Sequence, residues 1–247
     1  MPESRLDEIL KVLNWKEAMW PIESILLKNI PLELLPDIDA LTKIKYPWEL
    51  LVLLRDQLKT TIVEQRISDK AQISDMVKMV GPVWVEEGVV IHPFSVIVGP
   101  VYIGRNSIIG NFTQIRESFI GLDSLVGERT TLARSVIGNG CHFHRNYLGD
   151  SLLAENVDMG GGTTTANFRL DHSRAKSTVL GEQLDTNLQR LGAVIGKNTK
   201  FGTTCQIMPG VKIGSDCIVG PRSVLYKDLA NNSRTKVIQQ LQIVGLK

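Results

Sequence analysis

Residues 103–149 read IGRNSIIGNFTQIRESFIGLDSLVGERTTLARSVIGNGCHFHRNYLG. An aliphatic residue followed by glycine recurs through this stretch, at Ile103-Gly104, Ile109-Gly110, Ile120-Gly121, Val126-Gly127, Ile137-Gly138 and Leu148-Gly149. Ile115-Arg116, Leu132-Ala133 and Phe143-His144 hold the phase between them. After a break the pattern resumes at Ile195-Gly196, Phe201-Gly202, Ile213-Gly214 and Val219-Gly220. The step is six residues in the second block, and six with occasional fives in the first. That period is too long for strand alternation and does not match a helical turn. It fits a triangular coil with one short strand per side and a turn at each corner. Three steps make a coil of about 18 residues, and coils stack at the inter-strand spacing of about 4.8 Å. The aliphatic residue is expected to point into the interior. Its small neighbour is expected near the corner, where an unusual backbone angle is tolerated. A narrow interior also excludes large rings, in keeping with only 4 Trp, 4 Tyr and 6 Phe beside 21 Gly in 247 residues.

The flanks differ. Leu6, Ile9, Leu10 and Leu13 form one helical stripe, and Leu51, Leu54 and Leu58 form another after Pro47, a residue suited to a first helical turn. Trp15, Trp20 and Trp48 are expected to anchor this N-terminal segment, residues 1–62, on the repeat domain, residues 63–229. Residues 166–193 break the phase and must leave the solenoid as a loop, and long loops are usually functional. Residues 230–247 are expected to form a capping tail with a short helix.

Charge and cysteine content narrow the function classes. Lys and Arg number 28 against 26 Asp and Glu, a net charge of +2. That balance argues against a nucleic-acid partner and gives no electrostatic reason for a membrane partner. Cys141, Cys205 and Cys217 are odd in number and form no CxxC pair, so neither a disulfide framework nor a Cys-rich zinc site is expected. The charged N-terminus MPESRLDEILKVLNW does not read as a signal peptide, and no run of about 18 apolar residues suggests a membrane span. A cytoplasmic protein is the expectation.

The repeats resemble the left-handed parallel β-helix of hexapeptide proteins, and the handedness comes from that resemblance. The expected fold class is therefore all-β, a hexapeptide-repeat solenoid of seven or eight coils with an N-terminal helical extension and a short C-terminal helix. The blocks His144-Arg145-Asn146-Tyr147-Leu148-Gly149-Asp150 and Asn156-Val157-Asp158-Met159-Gly160-Gly161-Gly162-Thr163-Thr164-Thr165-Ala166-Asn167 are more specific. They resemble the acetyltransferase domain of GlmU-type enzymes, bifunctional glucosamine-1-phosphate acetyltransferases and sugar-1-phosphate nucleotidylyltransferases. The likeness runs over 67–229. Tyr46-Pro47-Trp48-Glu49-Leu50-Leu51 resembles the join between the two domains of those enzymes. No Gly-rich phosphate loop occurs before residue 60, so nucleotidyl transfer is not expected of this sequence.

The resemblance implies acetyl transfer from acetyl-CoA to an amino sugar phosphate by a homotrimer. It assigns His144 as general base, a role suited to a group that titrates near neutrality. Tyr147, Asn167 and Lys176 match substrate-contacting positions, the last as a point charge for phosphate. Asp158 stands where the family has Asn, and Ser173 where it has a second Lys. The family's basic residue one coil before the His is either Arg116 or Arg134. Gly161 is expected to let backbone N–H groups approach the thioester oxygen, and Thr203 and Pro221 to line the coenzyme groove. From residue 185 onward nine Lys or Arg stand against three Asp, a surplus of +6 that leaves −4 elsewhere. Lys212, Arg222 and Lys227 are therefore the candidates for the coenzyme phosphates. Two other readings stay open: a non-catalytic trimeric β-helix that partners a sugar nucleotidylyltransferase, and a zinc enzyme of the γ-class carbonic anhydrase kind. For the latter, only His142 and His144 lie close and the expected His spacing is absent, so no metal is expected.

Overall fold

The computed structural model describes residues 31–35, 38–240 and 242. The stripe Leu6–Leu13 and the anchors Trp15 and Trp20 lie outside these residues. The repeat region is an all-β, left-handed parallel β-helix with three faces of eight, nine and eight strands. The first face runs from Arg66–Ile67 to Lys212–Ile213, the second from Gln72–Ile73 to Arg234–Thr235, and the third from Lys78–Val80 to Val224–Leu225. Each strand pairs in parallel with its equivalent in the next coil, as Phe119 with Tyr102 and Val136. The inward residues Ile103, Ile109, Ile115, Ile120, Val126, Leu132 and Ile137 are fully buried. Two residues before each lies a second, small inward position, and all three cysteines occupy it. Their thiols point to carbonyls of the next coil, Cys141 to Ala154 O at 3.2 Å and Cys217 to Ala230 O at 3.1 Å.

Two expectations about this interior need correction. Rings do enter it: Phe143 and Phe201 are buried there, with Met159 between them on the second face. Small or pliant inward neighbours, Cys141, Val157 and Met159, leave the room. The glycine after the aliphatic residue is also not the left-handed corner. Gly121 has an ordinary φ, and an added Cβ would lie 2.7 Å from the Gly138 carbonyl carbon of the next coil. Close stacking of coils, not backbone angle, excludes a side chain there. The left-handed residue comes three positions after the inward one in six-residue steps, as at Asn106 and Asp123. In the five-residue steps it comes two positions after, at Glu117, Arg134, Arg145 and Asp150.

Outside the solenoid, the helix Pro47–Thr61 covers the first face. The Glu49 carboxylate caps its start by accepting the N–H groups of Lys45 (2.6 Å) and Tyr46 (3.1 Å). Trp48, Leu50, Leu51, Leu54 and Leu58 pack on the outward residues Tyr102, Phe119, Val136, Leu152 and Val194. Trp48 is 4% exposed, so this residue acts as the anchor its composition suggested. The excursion leaves after Thr164–Thr165 and forms an antiparallel hairpin, Lys176–Val179 with Glu182–Asp185. Beyond Asp228 the solenoid continues, since Arg234–Thr235 pairs with Ile218–Val219. The expected terminal helix falls partly on residues 241 and 243–247, outside those described.

Candidate functional site at two corners of the solenoid

The third corner, between the third face and the first face of the next coil, carries a buried carboxylate. Asp150 is 1% exposed. Its Oδ1 accepts Arg134 Nε at 2.7 Å and Arg55 Nη1 at 3.4 Å. Its Oδ2 accepts Arg134 Nη2 at 2.7 Å and Asn167 Nδ2 at 2.6 Å. The bidentate hydrogen bonds to Asp150 raise the Arg134 pKa above its ordinary value. Because the Asn167 amide donates to Asp150, its carbonyl faces the Tyr147 hydroxyl, which donates to it at 3.5 Å. Gly149 makes that approach feasible: a Cβ there would lie 2.4 Å from Asn167 Nδ2 and 2.8 Å from the Tyr147 hydroxyl. Three of the expected residues, Arg134, Tyr147 and Asn167, are thus brought together. Arg116 is exposed one coil earlier, opposite Ala133 in the register.

The second corner, between the second and third faces, carries a different row. His144 is exposed at its coil. The next coils place Gly161, Thr203 and Pro221-Arg222 in line with it. Gly162 N–H donates to the His144 and Arg145 carbonyls, both at 3.2 Å, Thr204 N–H to Gly161 O at 3.0 Å, and Arg222 N–H to Thr203 O at 2.9 Å. Asn146, 3% exposed, pins the turn that carries His144. Its Oδ1 accepts the His144 N–H, and its Nδ2 donates to Gly160 O (3.0 Å) and Thr163 O (2.9 Å). The row ends at a cavity of about 1040 Å³ lined by Lys200, Arg222, Arg234 and Lys236, with no carboxylate among the described residues of its lining. His144 and Asp150 therefore sit at successive corners of one coil, with the strand Tyr147–Gly149 between them.

The remaining expected residues lie elsewhere. Asp158 is on the second face, in register between His142 and Lys200. Lys176 lines a cavity of about 600 Å³ with Phe168, Met208 and Tyr226. Lys212 is 4% exposed, and its ammonium donates to Asp228 Oδ2 (2.5 Å), Ser177 Oγ (3.3 Å) and the Thr178 carbonyl. It clamps the hairpin to the solenoid, so its charge is already spent on Asp228 rather than presented to a coenzyme. Lys227 is exposed on the third corner, away from the row of His144 and Arg222. Arg55, Asn146 and Asp150 were not singled out in the sequence. The last two stand inside the quoted motif, but only the stacking of corners shows what they touch.

Comparison with known proteins agrees with the repeat reading. The bacterial transferase hexapeptide model (six repeats) matches residues 82–117 and 192–227. A bifunctional sugar-1-phosphate nucleotidylyltransferase/acetyltransferase of Sulfurisphaera tokodaii is 34% identical over 198 residues, 77% of this chain and 47% of that protein. The bifunctional protein GlmU of Methanocaldococcus jannaschii is 31% identical over 192 residues, 76% of this chain and 45% of that protein. The chain thus spans about half the length of these curated relatives. Among solved structures, an N-acyltransferase from Bacillus cereus, in complex with dTDP and 3-hydroxybutyryl-CoA, matches at 17% identity over 72% of this chain and 80% of that chain. Its TM-score of 0.30 is too low to carry over any property. The chain carries a hexapeptide-repeat left-handed β-helix related, at moderate identity, to the GlmU proteins.

Proposed function

We propose that this protein is an acetyl-CoA-dependent N-acetyltransferase whose acceptor is an amino sugar 1-phosphate, with His144 as general base. One observation carries the reading. His144, Gly161, Thr203, Pro221 and Arg222 form a single stacked row that ends in a cavity whose described lining holds four cations and no carboxylate. Acetyl-CoA is long and anionic at one end, and these residues fit it: cations for its phosphates, and an open glycine beside His144 for its thioester. An added Cβ on Gly161 would meet only the His144 carbonyl oxygen, at an ordinary 3.4 Å, and the distant Arg145 side chain, so the surface beside His144 is open here. Bound there, the co-substrate supplies an activated acetyl group.

The chain's own groups then do the following. His144 takes the proton that the sugar amine must lose as it attacks the thioester carbon, and as the C–S bond breaks it returns that proton to the sulfur, so that coenzyme A leaves as the thiol. Backbone N–H groups beside Gly161 stabilise the charge that develops on the thioester oxygen. Tyr147 and Asn167, held by Asp150, orient the sugar between the two corners. Arg134, and in this reading Arg116 and Lys176, answer the sugar phosphate. Arg222, with Lys200, Arg234 and Lys236, holds the coenzyme phosphates. A homotrimer in the cytoplasm belongs to the same proposal.

The test is thiol release from acetyl-CoA with glucosamine 1-phosphate and related amino sugar phosphates. Turnover is expected, and His144→Ala should lower kcat by about 10²–10⁴-fold, the usual range for a general base. No turnover of any amino sugar phosphate, or an unchanged rate in His144→Ala, contradicts the proposal. Failure to bind acetyl-CoA at near-millimolar concentration would favour the non-catalytic partner reading instead.

A further inference from the structure

We infer that Asn146 is a positioning residue of the proposed transfer, holding His144 against the glycine turn of the next coil. This rests on the role proposed for His144. The second-corner step from Phe143 to Leu148 spans five residues, whereas the other described steps over this corner, from Ile73–Met79 to Val219–Leu225, span six. In the six-residue steps the residue after the inward one donates its N–H to the next coil. His92 donates to Ile109 O, Gly110 to Val126 O, Gly127 to Phe143 O and Gly160 to Phe201 O, all at 2.8–2.9 Å. The short step puts His144 at that ladder position, and its N–H turns instead to Asn146 Oδ1. Neighbouring coils carry a small residue where Asn146 stands: Ser95, Thr113 and Thr163 each donate a hydroxyl to a glycine carbonyl of the next coil, Gly110, Gly127 and Gly202. Asn146 makes the equivalent bond, from Nδ2 to Gly160 O at 3.0 Å, and adds a second to Thr163 O at 2.9 Å. Those two carbonyls bracket Gly161 and Gly162. One planar amide thus ties the proposed base to both ends of the turn proposed to serve the thioester oxygen. With an N–H on one side and two carbonyls on the other, the amide has a single orientation that satisfies it. It is 3% exposed, so water does not compete for these bonds. Among the described coils, an amide stands at this place only in the coil that carries His144.

The experiment measures acetyl transfer to glucosamine 1-phosphate by Asn146→Thr, with Asn146→Ser as a second variant. Both introduce a residue that neighbouring coils already carry at this place. Both keep a hydroxyl for Gly160 O and lose the bonds to His144 and Thr163. The expected fall in kcat is about 10–100-fold, the scale of a displacement of up to about 1 Å. KM for acetyl-CoA and for the acceptor should stay within about twofold, and in a His144→Ala background Asn146→Thr should change kcat by less than about twofold, because residues that act as a unit are not additive. An unchanged kcat in the folded variants overturns the inference. So does a loss confined to KM, a loss that persists in full in the His144→Ala background, or failure of both variants to fold, since each marks Asn146 as a structural strut. A wild type that transfers no acetyl group overturns the proposed function and this inference with it. An active wild type matched by Asn146→Thr overturns the inference alone.

Discussion

Asp150 shows how much of this site depends on a single side chain. A carboxylate with 2% exposed side-chain surface accepts donors from the helix, from the preceding coil and from the following coil. Removing it would leave two guanidiniums facing one another across a buried corner. Loss of one partner of a buried ion pair costs about 3–5 kcal/mol. Asp150→Ala is therefore expected to lower unfolding stability by about that amount in urea titration, and to abolish the Tyr147–Asn167 arrangement. Cys141 gives a prediction of the opposite kind. Burial pushes its thiol up to about 12. Folding thus holds a proton that the unfolded chain releases at lower pH. Its contribution is complete below the ordinary thiol range and is lost as pH rises through it toward 12. Unfolding titrations between pH 8 and 11 should show falling stability, and Cys141→Ser should flatten the slope. The thiol should also resist alkylating reagents until the protein unfolds. In the sequence, Cys141 could be read only as unpaired. The reason for its burial is its phase, two residues before an inward aliphatic position, and that phase recurs at Cys205 and Cys217.

At the scale of elements, the step length decides which side chains meet. Ile-Gly repetition was enough to assign the solenoid, because the inward position is set by local periodicity alone. It was not enough to assign partners. Steps of five residues at 115–120, 132–137, 143–148 and 148–153 shorten the corners and bring Arg134, Arg145 and Asp150 to left-handed backbone. Those shortened corners stack Arg134, Asp150 and Asn167 in one column, which explains why Arg134 rather than Arg116 meets the carboxylate. The contribution of Arg55 was not legible, since helix periodicity marks its apolar face and says nothing of a contact 95 residues away. The hairpin offers a test of the same kind. Lys212 ties it to the solenoid through Asp228, Ser177 and Thr178. Lys212→Met should leave the coils folded but loosen the segment 176–185. Limited proteolysis should then cut within it faster than in the wild type, while the affinity for acetyl-CoA stays within about twofold. A large loss of acetyl-CoA affinity would instead return Lys212 to the coenzyme site.

For the whole molecule, the near-zero net charge conceals a division of labour. The positive surplus of the C-terminal part gathers at the end of the second corner, where Lys200, Arg222, Arg234 and Lys236 line one cavity. The chemistry proposed for His144 lies a few coils away along the same row, a distance set by the stacking of about 4.8 Å per coil. The third corner, with Asp150 at its centre, is left for the acceptor. In the proposed reaction, coenzyme and acceptor approach from two corners and meet across the third-face strand that carries Tyr147. A crystal structure with bound coenzyme A tests this most directly. The account predicts the phosphates on Arg222, Arg234 and Lys236, the pantetheine arm along Thr203 and Gly161, and the sulfur beside His144. Coenzyme lying along the third corner, or its sulfur ending more than one coil from His144, would contradict it.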